Sequence, residues 1–195
     1  MRERTDNRKE RILGVLARRQ KDLTVVLNNI HDPHNVSAVL RSCDAFGVAE
    51  AHLLYTDTPF PTLGHKSSAS AKKWVPLKRH KSAADMIKGF RGKGMQVLST
   101  GFGPQAKPLT DWDLTLPTAV IMGNEHDGVA EELNTLAPDH IYIPMQGMVQ
   151  SLNVSVATAV ILYEAFRQRM AKGMYDEPGF TPEEIQERYD LWITK

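Results

Sequence analysis

Short apolar runs alternate with longer mixed stretches along most of the chain. The runs are rich in β-branched residues, as in strands buried on both faces, and they span 23–27, 52–55, 95–100, 118–122 and 141–143, with a shorter run at 74–77. Apolar residues recur at helical spacing over 36–46, over 83–93, and for about twenty residues from Leu152. Strands separated by helices predict an α/β fold, with a mostly parallel sheet covered by helices on both faces.

The two ends of the chain lie outside this alternation and predict N- and C-terminal helical extensions. Within residues 1–21, apolar positions lie between basic ones, which indicates an amphipathic helix. We therefore divide the chain into a basic helical arm (1–21), a main domain (22–173) and an acidic C-terminal tail (174–195).

Charge is distributed unevenly along the chain. The net charge is +1, but the arm carries eight Lys and Arg against three acids and the tail carries six acids against two basic residues. A basic arm on a neutral body favours a polyanion such as nucleic acid. Two other readings stay open, in which the arm charges solvate a helix or pair with the acidic tail of the same chain or a partner chain.

Composition excludes several classes of protein. With 195 residues, 42% of them hydrophobic, the chain is large enough for one domain with a core. No apolar run approaches the roughly 20 residues that cross a bilayer, so we expect a soluble, cytoplasmic protein without a membrane partner. Cys43 cannot form an intrachain disulfide, and no Cys and His cluster has the spacing of a zinc site, so we expect no metal.

Polar residues and glycines follow three of the predicted strands. After 23–27, Pro33 holds a loop and Asn35 is predicted to cap a helix. On that helix Ser37, Arg41 and Asp44 align at three- and four-residue spacing, so Arg41 could bind phosphate or form a surface ion pair.

The other two strand ends are similar in character. After 118–122 come Gly123 and Glu125, and Glu125 could accept a hydrogen bond from a ligand or serve as an acid at a helix N-terminus. After 141–143, Ser151 is predicted to cap the long helix. Ligands of open α/β sheets bind in the crevice at the carboxyl ends of the strands.

A fourth strand end reads STGFGPQA and matches the GxGxxA pattern of dinucleotide-binding folds at Gly101, Gly103 and Ala106. Pro104 interrupts the pattern, and the residues after Ala106 do not form an amphipathic helix. A nucleotide-dependent oxidoreductase is therefore a distant alternative.

Taken together, these segments resemble the three motifs of the SPOUT methyltransferases. The resemblance covers roughly residues 20–170 and lies in the order N…R, GxExxGV and IPMxGxxxSLNVSxA. Within that class the whole chain, including the arm that opens MRERT, is similar to the bacterial tRNA (guanosine(18)-2'-O)-methyltransferases of the TrmH type. This implies a C-terminal trefoil knot, S-adenosyl-L-methionine as cofactor, tRNA as partner and a homodimer, with 22–173 as the methyltransferase domain and the arm as an RNA-binding element.

The resemblance also implies roles for individual residues. The catalytic positions fall on Asn35, Arg41, Glu125, Ser151 and Asn153. The cofactor positions fall on Thr100, Gly123, Ile143 and Leu152. The RNA-binding positions, which the family uses for tRNA or for supporting the site, fall on Arg8, Arg11, Arg19, Arg167 and Arg169. For Arg167 and Arg169, the alternative is a pair of cations favoured at a helix C-terminus.

The implied reaction is in-line transfer of a methyl group to a ribose 2'-hydroxyl. Arg41 stays protonated because a guanidinium has a pKa above about 12, so we expect it to clamp a phosphate and lower the pKa of the hydroxyl. Asn35, Ser151 and Asn153 would orient the ribose and that arginine. A sister enzyme acting on ribosomal RNA and a non-catalytic RNA-binding module are the alternatives.

Overall fold

The computed structural model describes residues 6–62, 71–124 and 127–195, with only the backbone of residues 71 and 72. Seven strands form one sheet: β1 (Leu23–Asn28), β2 (Ala51–Leu54), β3 (Leu77–His80), β4 (Gln96–Thr100), β5 (Ala106–Pro108), β6 (Thr118–Met122) and β7 (His140–Tyr142). The strand order is β3-β2-β1-β6-β4-β7-β5, and all six strand pairs are parallel. The predicted parallel α/β fold is confirmed.

The helices connect and flank these strands. They are α1 (Asp6–Ala17), α2 (Pro33–Ala45), α3 (Ala71–Trp74), α4 (Ala83–Gly92), α5 (Glu131–Leu136), α6 (Val154–Ala171) and α7 (Pro182–Ile193), with a short 3-10 helix at Leu109–Asp111. The run at 74–77 was predicted as a strand, but a helix ends at Trp74 and β3 begins only at Leu77. A helix is predicted to open at Gly128, and α5 begins three residues later, at Glu131. Sequence periodicity gave no indication of β5, because an element of three residues is too short to show it.

Alternate residues of the central strands pack on opposite faces of the sheet. Val25 and Val120 pack with α2 and α6 on one face, whereas Val26 and Ile121 pack with α4 and α5 on the other. The two-residue period of the strands therefore separates two apolar clusters, one on each face of the sheet. Within the part of the chain that is described, no helix is long and apolar enough to cross a membrane.

The two terminal extensions pack against each other. Ile12 and Leu16 of α1 form a third, smaller apolar cluster with Trp192 of α7. Helix α7 begins with a capping box, in which Thr181 accepts from the Glu184 amide and Glu184 accepts from the Thr181 amide. Lys21 and Glu184 also form an exposed ion pair at 3.6 Å, so the basic and acidic ends meet within one chain.

Two predicted helix starts are wrong by two or three residues. Helix α2 is capped by the side chain of Asp32, with Pro33 in its first position, so Asn35 lies inside the first turn. Helix α6 is capped by Asn153, not by Ser151. Sequence rules allow any Ser, Asp or Asn near the start of a helix to cap it, and only the loop geometry selects among them. The trefoil knot stays a prediction.

Candidate functional site

Three of the four proposed cofactor positions follow adjacent strands. The strands β6, β4 and β7 are neighbours in the sheet, and Gly123, Thr100 and Ile143 stand at or just beyond their carboxyl ends. Thr100 ends β4, and its hydroxyl donates to the carbonyl of Ile121 at 3.0 Å. The fourth position, Leu152, lies in the loop before α6 and is 37% exposed. The fold therefore brings these positions to one edge of the sheet, which we call the carboxyl edge.

A direct hydrogen bond joins the first motif to the third. The side-chain amide of Asn153 donates to the side-chain oxygen of Asn35 at 3.1 Å. Asn35 is buried, and the oxygen of Asn153 accepts from the backbone amide of Ser155 at 2.8 Å. The N-termini of α2 and α6 are thereby fixed side by side, and their free amide groups favour negative charge in the space beyond them. Ser151 is exposed in the loop that leads to this pair.

The glycine of the second motif is required by close backbone packing. A Cβ atom on Gly123 would lie 2.1 Å from the carbonyl carbon of Gly128. The amides and carbonyls of Asn124 and Gly128 pair with each other and close this loop. The buried Asn28 holds the loop against the sheet, because its side-chain oxygen accepts from the amide of Ala130 at 3.0 Å. Glu125 lies outside the described residues.

Arg41 and Asn35 leave α2 in different directions. Arg41 is exposed and lies six residues after Asn35, about 9 Å further along the helix axis and about 120° around it. The predicted alignment with Asp44 does not produce an ion pair between Arg41 and Asp44, because Asp44 pairs with Arg19. Within one chain, Arg41 and Asn35 thus face different spaces.

The five proposed RNA-binding arginines fall into two groups. Arg8, Arg11 and Arg167 are exposed, as contact with RNA requires. Arg19 is 1% exposed and pairs with Asp44, and it donates to the carbonyl of Val48 at 2.8 Å.

Arg169 is 0% exposed, and it donates to Asp22 at 2.5 Å and to the carbonyl of Leu114 at 2.9 Å. The prediction that Arg19 and Arg169 contact RNA is at odds with this burial. A guanidinium enclosed by protein acceptors cannot reach a phosphate, and its hydrogen bonds instead stabilise the packing of the segments around it.

A cavity of about 510 Å³ opens at the carboxyl edge. Its lining is mainly apolar and aromatic and consists of Phe102, Tyr142, Ile143, Pro144, Met145, Val149 and Gln150. The rings of Phe102 and Tyr142 lie 5.1 Å apart. The volume and the apolar walls suit a nucleoside-sized ligand, so the residues present fit the proposed cofactor. Of this set, only Ile143 was predicted to contact the cofactor, although Phe102 directly follows Gly101 at the end of a strand.

The GxGxxA segment has another explanation. A Cβ atom on Gly103 would lie 2.9 Å from Nδ1 of His140, so this glycine makes room for a histidine on β7. Ala106 begins the edge strand β5, where a dinucleotide-binding fold would begin a helix. The structure therefore gives no support to an oxidoreductase.

A second cavity lies between the extensions and the body, and sequence analysis missed it. We call it the arm groove. It measures about 460 Å³ and is lined by Asn7, Arg8, Arg11, Ile12, Val15, Asp44, Trp74 and Trp192. These residues come from four helices, α1, α2, α3 and α7, so no contiguous motif could have revealed the groove.

The described residues include neither a cluster that could hold a metal ion nor a reactive thiol. Among the described residues, no three His, Cys, Asp or Glu side chains lie close enough together to hold a metal ion. Burial raises the pKa of Cys43 to about 12, so the thiol remains protonated and unreactive at neutral pH.

Comparisons with known proteins identify relatives along most of the chain. The profile of the SpoU rRNA methylase family matches residues 22–163. The chain is 48% identical over its full length to the full-length tRNA (guanosine(18)-2'-O)-methyltransferase of Thermus thermophilus.

Solved structures show the same fold. The crystal structure of the A. aeolicus TrmH/SpoU tRNA modifying enzyme superposes with a TM-score of 0.89 at 38% identity, over 97% of this chain and 96% of that one. The SpoU methyltransferase AviRb from Streptomyces viridochromogenes, in complex with AdoMet, superposes with a TM-score of 0.68 at 28% identity, over 78% of this chain and 62% of that one. The family profile covers more than half of the chain, and the chain belongs to the SpoU methylase family.

Proposed function

We propose that this protein transfers the methyl group of S-adenosyl-L-methionine to the ribose 2'-hydroxyl of guanosine 18 in tRNA. The observation that carries the proposal is the 48% identity to a tRNA methyltransferase along all 195 residues, which includes the arm and the tail. The extensions lie outside the segment that defines the family as a whole. Because its substrate is tRNA, we place the reaction in the cytoplasm.

The carboxyl edge of the sheet is the proposed cofactor site. Thr100, Gly123, Ile143 and Leu152 would hold S-adenosyl-L-methionine there, beside the cavity that Ile143 lines. When bound, this cofactor supplies a methyl group on a sulfonium, which is already a strong electrophile. The protein therefore needs chiefly to position the ribose oxygen, and good positioning can contribute on the order of 7 to 11 kcal/mol.

The polar residues near the cofactor site would orient the ribose and ease loss of its proton. Asn35 and Asn153 fix each other through their 3.1 Å hydrogen bond and, with Ser151, offer donors and acceptors to the sugar. Arg41 stays charged, so it clamps a phosphate next to the ribose and lowers the pKa of the hydroxyl electrostatically. The proton leaves to that phosphate or to water.

A homodimer would bring Arg41 to this ribose. Arg41 leaves α2 about 120° away from Asn35, so we propose that it serves the site of the partner chain. The outward side of α6 supports an interface between chains, because it carries a row of exposed apolar residues, Val156, Val160, Tyr163 and Met170.

Methyl mapping tests the proposed reaction. The purified chain is incubated with unmodified tRNA or ribosomal RNA and labelled S-adenosyl-L-methionine, and the labelled ribose is located. We expect label at guanosine 18 of tRNA. Label only in ribosomal RNA would favour the sister activity. A protein whose melting temperature does not rise with S-adenosyl-L-methionine would be a non-catalytic RNA-binding module, because a ligand that binds only the native state must stabilise it.

Mixing two inactive variants tests whether Arg41 acts across the dimer. Arg41→Ala and Ser151→Ala chains are unfolded together in equal amounts and refolded. If Arg41 acts on the partner's site, each mixed dimer has one intact site and the mixture regains about a quarter of wild-type activity. If Arg41 acts within its own chain, every site carries one defect and the mixture stays inactive.

A further inference from the structure

The arm groove combines three chemical features that suit one ligand. Arg8 and Arg11 line it and are exposed, and in the described part of the chain no carboxylate lies within ion-pair distance of either. Trp74 contributes a partly buried aromatic wall, and Asp44 contributes a carboxylate. The two exposed guanidinium groups attract an anion. The aromatic ring of Trp74 and the carboxylate of Asp44, which accepts hydrogen bonds, suit an uncharged heterocycle with N–H groups.

The walls of the groove are held in place by the protein. Trp74 packs against Trp192 with ring centroids 4.9 Å apart, and Trp192 is buried beneath it. Arg19 fixes the position of Asp44 through their ion pair, and its guanidinium lies 5.3 Å from the Trp192 ring centroid. Because Asp44 also lines the groove, one carboxylate both anchors the arm and faces the ligand space. The groove is therefore preformed, which lowers the entropic cost of binding.

The groove and the proposed site of methyl transfer share helix α2 but lie on opposite sides of it. Asp44 and Asn35 are nine residues apart, about 13.5 Å along the helix axis and about 180° around it. A strand that joins the two must pass around the helix as well as along it, and at about 3.4 Å per stacked nucleotide this takes roughly seven or eight nucleotides.

We infer that the arm groove is a nucleobase pocket that takes one unstacked base of the tRNA within about eight nucleotides of the methylated ribose. The base stacks on Trp74 and presents N–H groups to Asp44, and Arg8 and Arg11 bind the flanking phosphates. This inference rests on the proposed function, because the ribose bound near Asn35 sets the position of the strand. It adds a base contact, made by Trp74 and Asp44 of the body, to the phosphate contacts made by the arm.

Single abasic substitutions in the tRNA test the pocket. Transcripts that lack one base, at each of the eight positions on either side of the target, are bound to the full-length wild-type protein. We expect one of them to bind about tenfold more weakly, since stacking on an aromatic side chain contributes about that factor or more. Trp74→Ala should weaken binding of the intact transcript by a similar factor, with no further loss on that abasic transcript.

Two controls separate stacking from folding. Trp112 is another partly buried tryptophan and has Lys107 4.7 Å from its ring centroid, but it does not line the groove. Trp112→Ala should leave both affinities unchanged. Trp74→Phe retains a ring, so it should recover most of the binding if Trp74→Ala folds poorly.

The outcomes distinguish the inference from the function. If the wild type methylates the intact tRNA but no abasic transcript binds more weakly, the pocket is refuted and the proposed function stands. If losses from Trp74→Ala and from the abasic position multiply, Trp74 does not contact that base and the inference is again overturned. If the intact tRNA is not methylated, the proposed function itself fails.

Discussion

The carboxyl edge and the arm groove are both open to solvent, but they are built in different ways. At the carboxyl edge, short loops that follow adjacent parallel strands supply the residues, and the sheet sets their positions. In the arm groove, side chains of four helices meet, and two of those helices lie outside the sheet domain. The first place depends on backbone geometry and the second on helix packing.

This difference predicts how each place tolerates change. Gly123 lies so close to Gly128 that even a methyl group would force the backbone apart, so the edge is intolerant of added volume. The groove depends instead on buried polar anchors, mainly Arg19 and Arg169, that hold the arm to the body. Loss of an anchor should therefore affect the whole protein, whereas loss of an exposed groove residue should affect binding alone.

Replacing Arg169 should have the largest effect on stability. In Arg169→Met, Asp22 and the buried Gln20 lose their charged partner, so we expect the free energy of unfolding to fall by about 3 to 5 kcal/mol. Urea unfolding monitored by circular dichroism measures this change. Arg167→Met is the matched control on the same helix, because Arg167 is exposed and pairs with Glu164 at the surface, so its loss should leave the free energy of unfolding almost unchanged. Equal losses in the two variants would refute the anchoring role.

Replacing Arg41 should have the largest effect on turnover. Arg41→Lys keeps the charge but loses the planar pair of donors that clamps a phosphate, so we expect turnover to fall about 100-fold or more. Single-turnover kinetics measures the methyl-transfer step, and calorimetry should show unchanged affinity for S-adenosyl-L-methionine. Near-normal turnover in this variant would contradict the clamp.

Replacing Arg8 should change RNA affinity without changing stability. In Arg8→Gln we expect tRNA binding to weaken several-fold and the slope of log affinity against log salt to drop by about 0.7 to 0.9, as for one lost phosphate contact. Filter binding at several salt concentrations measures the slope. Lys9→Gln is the neighbouring control, because Lys9 pairs with Asp6 at 3.5 Å and does not line the groove. An unchanged slope in Arg8→Gln would exclude a phosphate contact there.

The smallest effect should be a pH dependence that involves neither place. His52 and His80 share a hydrogen bond of 2.7 Å, and Glu50 lies 3.3 Å from His52. Burial, followed by the charge of His52, lowers the pKa of His80 below 6.5. Below about pH 6.5 the unfolded chain takes up a proton at His80 that the folded chain resists, so stability should decline as the pH falls.

Urea unfolding between pH 8 and pH 5.5 checks this decline. His80→Gln should flatten the dependence, because it removes the group whose proton affinity differs between the folded and unfolded states. A variant that loses stability as steeply as the wild type would show that His80 is not responsible.

Sequence patterns predicted the elements that are long enough to show a period. Strand β6 was predicted with its observed bounds, and α4 was predicted to within one residue. Errors arose where local rules allow several answers. Asp32, Asn35, Ser151 and Asn153 are all good helix caps by residue type, and their surroundings decide which of them binds the first free amides.

By itself, the sequence determined the parallel α/β fold, the family and the placement of its motifs at strand ends, because periodicity and short motifs are local properties. The tertiary structure decided which arginines are buried, that Asn35 and Asn153 meet, and that Asp44, Trp74 and Trp192 line one groove. These facts depend on contacts between residues far apart in the chain. Arg167 and Arg169 have the same chemistry two positions apart, and only packing makes one a surface cation and the other a buried anchor.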